Sequence, residues 1–112
     1  MQLMTNELEK RFAEVGSQDG INDQIILAKF FYSNGAATWW ATEYNPRDRM
    51  FFGFVLLYDD AQGGEWGLFS LDELQGLQTS GLGIERDIWW KEKPSSQVRK
   101  IMEKSPWIAV PA

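Results

Sequence analysis

QIILAKFFYSNGAATWWATEYNPRDRMFFGFVLLY, residues 24–58 of a 112-residue chain, is the stretch on which the fold turns. It holds three runs of β-branched and aromatic residues, separated by Ser33-Asn34-Gly35 and by Asn45-Pro46-Arg47-Asp48. Separators this short and this rich in turn formers leave each run no choice but to return beside the last, as an antiparallel meander. The first run, Gln24 to Tyr32, is apolar on both parities, which predicts a central strand covered on two sides. The second, Ala37 to Tyr44, alternates: Thr38, Trp40, Thr42 and Tyr44 are expected on one face, Trp39, Ala41 and Glu43 on the other. In the third, Met50 to Tyr58, strong β-formers are interrupted by Gly53, where a neighbour is expected to pack closely.

Toward the N-terminus, Thr5 opens a helix with Leu8, Phe12 and Val15 on one face and Gly16 at its end, followed by a turn at Ser17-Gln18-Asp19-Gly20. Toward the C-terminus, the turn Asp59 to Gly64 leads to a fourth strand, Glu65 to Phe69. Ser70 and Glu73 then form a capping box, which starts a short helix expected to stop at Gly76. Glu85 to Lys91 returns to strand character, and Pro94-Ser95 opens a last helix carrying Val98, Ile101 and Met102 on one face. Ser105-Pro106 stops it. The expected architecture is one α+β domain over residues 1–112: a mainly antiparallel sheet of about five strands, flanked by an N-terminal helix, a short middle helix and a C-terminal helix.

At this length a chain buries roughly 65% of its unfolded surface, and rings supply much of it. The sequence holds seven Phe, six Trp and three Tyr. If about ten rings bury ~200 Å² each, their contribution has an upper bound of ~50 kcal/mol. Cysteine and histidine are both absent. That excludes disulfides, thiolate zinc sites, cysteine nucleophiles, Ser-His-Asp hydrolysis and HExxH zinc chemistry. Nothing calls for a cofactor, and any catalysis would fall to carboxylates, Lys, Tyr or backbone groups. No run approaches the ~20 apolar residues of a membrane span, and no signal-peptide pattern opens the chain, so the expected location is cytoplasmic.

The net charge of −5 is unevenly spread. Residues 50–85 carry six acidic groups (Asp59, Asp60, Glu65, Asp72, Glu73, Glu85) and no basic one, whereas residues 86–112 carry six basic and three acidic groups. An acidic middle argues against nucleic-acid affinity, which rests on Lys and Arg.

Five ordered blocks then stand out: Lys29-Phe30-Phe31, Thr38-Trp39-Trp40-Ala41-Thr42-Glu43, Phe51-Phe52-Gly53, Gly67-Leu68-Phe69-Ser70-Leu71-Asp72-Glu73-Leu74, and Gly81-Leu82-Gly83-Ile84-Glu85-Arg86-Asp87. Together they resemble the bacterial family known as domain of unknown function 2958, over a core of about residues 25–90. Trp40, Trp89 and Leu68 stand where that family more often has a tyrosine or, at the first two, another ring. The resemblance implies a small cytosolic protein often carried on plasmids and other mobile elements, and no established activity comes with it.

Glu85-Arg86-Asp87 is the sharpest polar feature. On a strand, Glu85 and Asp87 share a face, and with Glu43 on an adjacent strand they would form a carboxylate site for acid–base work or Mg²⁺. The same triplet also reads as structural, with Arg86 bridging to Glu43 or Asp72 and fixing the sheet register. Trp39-Trp40 and Trp89-Trp90 each direct one ring to either face of a strand, as a protein anchor, a stacking platform, or core. The candidate binding residues are Trp39, Trp40, Asp48, Arg86, Trp89 and Trp90; the candidate catalytic residues are Glu43, Glu85 and Asp87; no metal site is assigned. The leading functional reading is a protein-binding module with an acidic, aromatic-rich surface, and an exposed edge strand would invite a homodimer. Two alternatives stay open: a carboxylate-based enzyme acting on a nucleotide or phosphoester, and an acidic inhibitor of a host DNA-directed defence system.

Overall fold

The computed structural model describes residues 1–58 and 63–109. Helix α1 (Asn6–Val15) begins where the Thr5 hydroxyl accepts the Leu8 N–H at 3.1 Å and ends where Gly16, at φ 67°, donates to Phe12 O. Strands β1 (Ile25–Ile26), β2 (Ala28–Tyr32), β3 (Thr38–Asn45), β4 (Met50–Leu56) and β5 (Gly64–Ser70) follow. Helix α2 (Leu71–Thr79), β6 (Ile84–Arg86), β7 (Lys93–Pro94) and α3 (Arg99–Lys104) complete the order, with 3₁₀ turns at Ser95–Gln97 and Pro106–Ala109. Five strands form one antiparallel sheet in the order β5-β4-β3-β2-β6, and β1 pairs separately with β7. The fold is α+β, with helices at the beginning, middle and end of the chain.

Each face of the sheet carries its own core. On the helical face, α1 and α2 bring Phe12, Leu71 and Leu74 against Phe30, Trp39, Phe51 and Phe69. Phe51 is the hub, with its ring centroid 5.2 Å from Phe30, 5.0 Å from Phe69 and 4.8 Å from Tyr44. On the other face, the C-terminal segment lays Ile101 and Ile108 over Ile26, Trp40, Phe54 and Leu56. Phe30, Phe51 and Phe54 are wholly buried, each worth about 2 to 3 kcal/mol of apolar burial.

Several sequence expectations shift, each for a local reason. The run Gln24 to Tyr32 is two strands, because the chain changes partner at Leu27: Ile25 and Ile26 pair with Pro94 and Lys93, while the Leu27 N–H donates to Ala41 O. Strand β3 is not a simple alternation. A bulge between Ala41 and Glu43 inserts Thr42, so Glu43 lies opposite Phe52 and Tyr44 opposite Phe51. One extra residue reverses the parity beyond it. Tyr44 therefore joins Trp39 and Ala41 on the helical face, and Glu43 turns to the face of Trp40.

Gly76 does not end α2. The left-handed residue that ends a helix is Gly81, at φ 97°, two residues beyond the last helical one. The strand expected over Glu85 to Lys91 stops at Arg86, because the Asp87 carboxylate accepts the Trp89 N–H at 3.0 Å and its carbonyl accepts the Trp90 N–H, folding the chain into a turn. The last helix opens at Arg99, after a 3₁₀ turn whose Ser95 hydroxyl donates to Gln24 O at 2.6 Å. Residues 59–62 of the expected acidic turn, and 110–112 of the tail, lie outside the described residues.

Candidate functional site

The carboxylates proposed as a catalytic group do not converge. Strand β2 lies between β3 and β6, so Glu43 is not the neighbour of Glu85 or Asp87. Glu43 instead accepts the Gln18 backbone N–H at 2.9 Å. Glu85 lies opposite Phe31. Asp87 faces Lys29, with its carboxylate 3.9 Å from the ammonium. Among the described residues, no group of three Asp or Glu side chains is placed to hold a metal ion. Arg86 forms neither of the expected bridges: its guanidinium donates to the Gln2 carbonyl, and Asp72 is held by Arg49 at 2.7 Å. That contact, first by its hydrogen bond and then by charge, raises the Arg49 pKa further above its ordinary value.

The tryptophans divide in two. Trp39 and Trp40 are buried, one in each core. Trp89 and Trp90 lie beyond β6 in the turn set by Asp87 rather than on a strand. Trp89 is 84% exposed and its neighbour Ile88 57%. Asp48 is exposed in the turn joining β3 and β4, at a distance of two strands from β6 in the sheet order.

The turn around Trp89 is held at both ends. At its start, the Asp87 N–H donates to Lys29 O, which extends the β2–β6 ladder by one rung. Trp90 then turns inward: its indole N–H donates to Ile26 O at 3.0 Å, and the Lys93 ammonium sits 4.5 Å from the ring centroid, a cation–π contact. At its end, Glu92 forms a two-point bridge to Arg11 on α1, at 2.8 and 2.9 Å. These hydrogen bonds, with the charge of Glu92 behind them, push the Arg11 pKa above its already high value. Lys93 and Pro94 enter the two-stranded ladder immediately afterwards. The result is one large aromatic side chain presented to solvent on a backbone with little freedom to move.

Two features separate this site from its expected form. First, rings and carboxylates part company. The acidic residues Glu65, Asp72 and Glu73 belong to β5 and α2, at the β5 edge of the sheet, whereas Trp89 follows β6 at the opposite edge. The charges around Trp89 are mixed: Glu85, Arg86, Asp87, Lys91, Glu92 and Lys93. Second, three residues that build the site carried little signal. Lys29 is the most legible, since a lone charge within an apolar run needs a partner. Arg11 and Glu92 are 81 residues apart, and nothing local links them.

A concavity of about 230 Å³ lies on the C-terminal face between Ile21, Gln24, Phe52, Trp66, Trp107 and Ile108. It falls below the usual range for small-molecule sites, about 300–1,000 Å³.

A five-stranded antiparallel sheet with a core on either face, and an exposed tryptophan in the turn beyond one edge strand, defines a small α+β protein. The chain belongs to the family described as Protein of unknown function (DUF2958), whose model matches residues 2–104. The match extends beyond the core of 25–90 to take in α1 and α3. No curated protein and no solved structure matches the chain. Among the described residues, no helix is long and apolar enough to cross a membrane.

Proposed function

We propose that this chain acts as a single-domain protein-binding module whose docking anchor is the Ile88-Trp89 turn. The setting suggested by the family resemblance is that of a small cytoplasmic accessory protein of bacteria or their mobile elements. One observation carries the reading: Trp89 is exposed to 84% while the backbone on either side is fixed by Asp87, Lys29, Trp90 and the Arg11–Glu92 bridge. Solvating a large ring brings no benefit to the monomer, and clamping it there lowers the ordering cost when a partner covers it. Tryptophan is the side chain most enriched among interface residues that dominate affinity, and a rim of mixed charge around an apolar centre is the usual surround. The partner that fits is a protein with an apolar pocket bordered by groups of both signs, rather than a nucleic acid.

The test compares tagged wild-type protein with Trp89→Ala and, as a control at a different exposed ring, Trp107→Ala, each used to capture proteins from the source cells. Trp89→Ala is expected to weaken the captured partner by about thirtyfold or more, equivalent to about 2 kcal/mol, with Trp107→Ala unchanged. Its melting temperature should match the wild type within about 2 °C, since an exposed ring contributes little to folding. Equal capture by wild type and Trp89→Ala would refute the assignment.

A further inference from the structure

The two edges of the sheet are unequal. At β6 the strand is three residues long, and the outward groups of Ile84 and the Arg86 N–H are already used: the Ile84 N–H donates to Leu82 O at 2.9 Å, Ile84 O accepts from the Gln78 side chain at 3.0 Å, and the Arg86 N–H faces the Met1 sulfur at 3.1 Å. Strand β5, at the other edge, runs for seven residues, Gly64–Ser70.

Its hydrogen-bonding phase follows from the ladder. The Leu71 N–H donates to Arg49 O, in line with the β4–β5 register that pairs Phe69 with Phe51 and Gly67 with Gly53. Odd-numbered β5 residues therefore bond to β4, and even-numbered ones turn their N–H and C=O outward. Counting from the other side agrees. The Tyr32 N–H to Ala37 O and Leu27 N–H to Ala41 O bonds turn odd β3 residues toward β2, hence even β4 residues toward β3 and odd ones toward β5. The outward groups of Trp66 and Leu68 make no hydrogen bond among the described residues. No Lys or Pro interrupts the strand, it carries no bulge, and Glu65 is its one charged side chain. Beside it Leu68 is 69% exposed, and Leu57 and Leu77 are also exposed; all three border one groove of about 310 Å³ with Gly67 and Glu65.

We propose that β5 pairs with β5 of a second copy of this chain, antiparallel about a two-fold axis at Gly67. The strand is self-complementary in that register. Trp66 exchanges backbone hydrogen bonds with Leu68 of the second copy, and Leu68 with its Trp66, so every outward group between them is satisfied. On the same face, the exposed Leu68 side chain covers the other copy's indole. On the helical face, Glu65 lies opposite Phe69 rather than opposite Glu65, and Gly67 meets Gly67 with no side chain to obstruct the approach. The assembly is a continuous ten-stranded sheet. At a strand spacing of ~4.8 Å, it carries the two Trp89 turns at its outer ends, about 45 Å apart. This inference is independent of the role of Trp89, which lies at the opposite edge.

The charge of the edge sets a signature. Among the described residues, Glu65 on β5 and Glu73 on α2 form no ion pair, whereas Asp72 is bridged by Arg49. Two such edges repel, so added salt should tighten the dimer; a foreign basic peptide at the same edge would be loosened by salt.

Because the chain has no cysteine, one introduced thiol reports the register. Gly67→Cys is tolerated by the monomer, since a Cβ there has no atom within 4 Å. At the two-fold axis it forms a non-hydrogen-bonded pair, with Cα atoms about 4.5 Å apart, within reach of a disulfide. Under oxidised glutathione, Gly67→Cys is expected to cross-link to itself at least about tenfold faster than Ile88→Cys, an exposed control at the other edge. Sedimentation of the wild type should show a dimer that grows with concentration and with salt, and Leu68→Lys should abolish it while leaving the melting temperature unchanged at concentrations too low for association. Equal cross-linking rates, a wild-type monomer at every concentration, or a dimer that loosens with salt would each overturn the assignment.

Discussion

Gly53 is the position at which the packing of the sheet is least forgiving, and Gly53→Ala is the change that tests it. A Cβ placed there would lie 1.8 Å from the Trp40 carbonyl oxygen, 2.8 Å from its carbonyl carbon and 3.0 Å from the Ala41 Cα. A carbon and a carbonyl oxygen not covalently joined settle at about 3.3 Å, so β3 and β4 would have to part by about 1.5 Å. Nothing flexible is available to move, because all three obstructing atoms are backbone. They sit one residue before the Thr42 bulge, between Trp40 and Phe54, both buried. Overpacking costs about 1 to 3 kcal/mol, and losing one or two ladder hydrogen bonds adds about 1 kcal/mol each. The expected loss is therefore about 2 to 5 kcal/mol, a large part of the 5 to 15 kcal/mol typical of a whole domain. Urea unfolding followed by tryptophan fluorescence measures it, and the melting temperature should fall by about 8 to 20 °C. Gly67→Ala, in the next strand where no atom lies within 4 Å, should be neutral or stabilising by up to about 0.5 kcal/mol at concentrations too low for association. If Gly53→Ala costs less than about 1 kcal/mol, the close approach of the Trp40 carbonyl is not a feature of the folded protein.

Two further outcomes follow from buried polar groups. Gln18, 3% exposed, donates from its side-chain amide to both Ile25 O and Thr42 O at 2.9 Å and accepts the Ile25 N–H at 2.7 Å; Gln18→Leu should cost about 3 to 5 kcal/mol in urea unfolding, whereas Glu43→Gln, which keeps an acceptor for the Gln18 N–H, should cost less than about 1 kcal/mol. A loss above about 2 kcal/mol in Glu43→Gln would show that the charge itself is needed. Burial pushes the Tyr44 phenol above its ordinary value of 10.0, so the folded state holds the proton more tightly than the unfolded one; the stability this provides is complete below the unfolded pKa and is lost as pH rises through the folded one. Wild type should therefore lose stability relative to Tyr44→Phe between about pH 9 and about pH 12, and parallel curves over that window would rule out the linkage.

The meander was legible because its signals are local. Turn formers at Ser33-Asn34-Gly35 and Asn45-Pro46, aromatic runs between them, Thr5 and Ser70 at helix starts and a strand glycine at Gly53 each constrain the chain within a few residues of themselves, and the structure keeps all of them. The candidate site was legible only in its parts. Trp89 and Asp87 were singled out, yet whether a tryptophan is core or surface depends on what covers it, and Trp39 and Trp89 look alike in sequence. The grouping of Glu43 with Glu85 and Asp87 failed because it required β3 beside β6, and strand order is set by which faces bury best once the whole chain has collapsed.

By itself, then, the sequence determined the class of fold, the meander and both helix caps, and it ruled out imidazole and thiol chemistry, since each of these depends on residue type or on spacing within one turn or strand. Only the tertiary structure decided the Thr42 bulge that exchanges the faces of Glu43 and Tyr44, the bridge between Arg11 and Glu92, the outward placement of Trp89 and the open edge at β5. Those features come from contacts between segments far apart in the chain, where the free energy of a side chain depends on neighbours that no local pattern names.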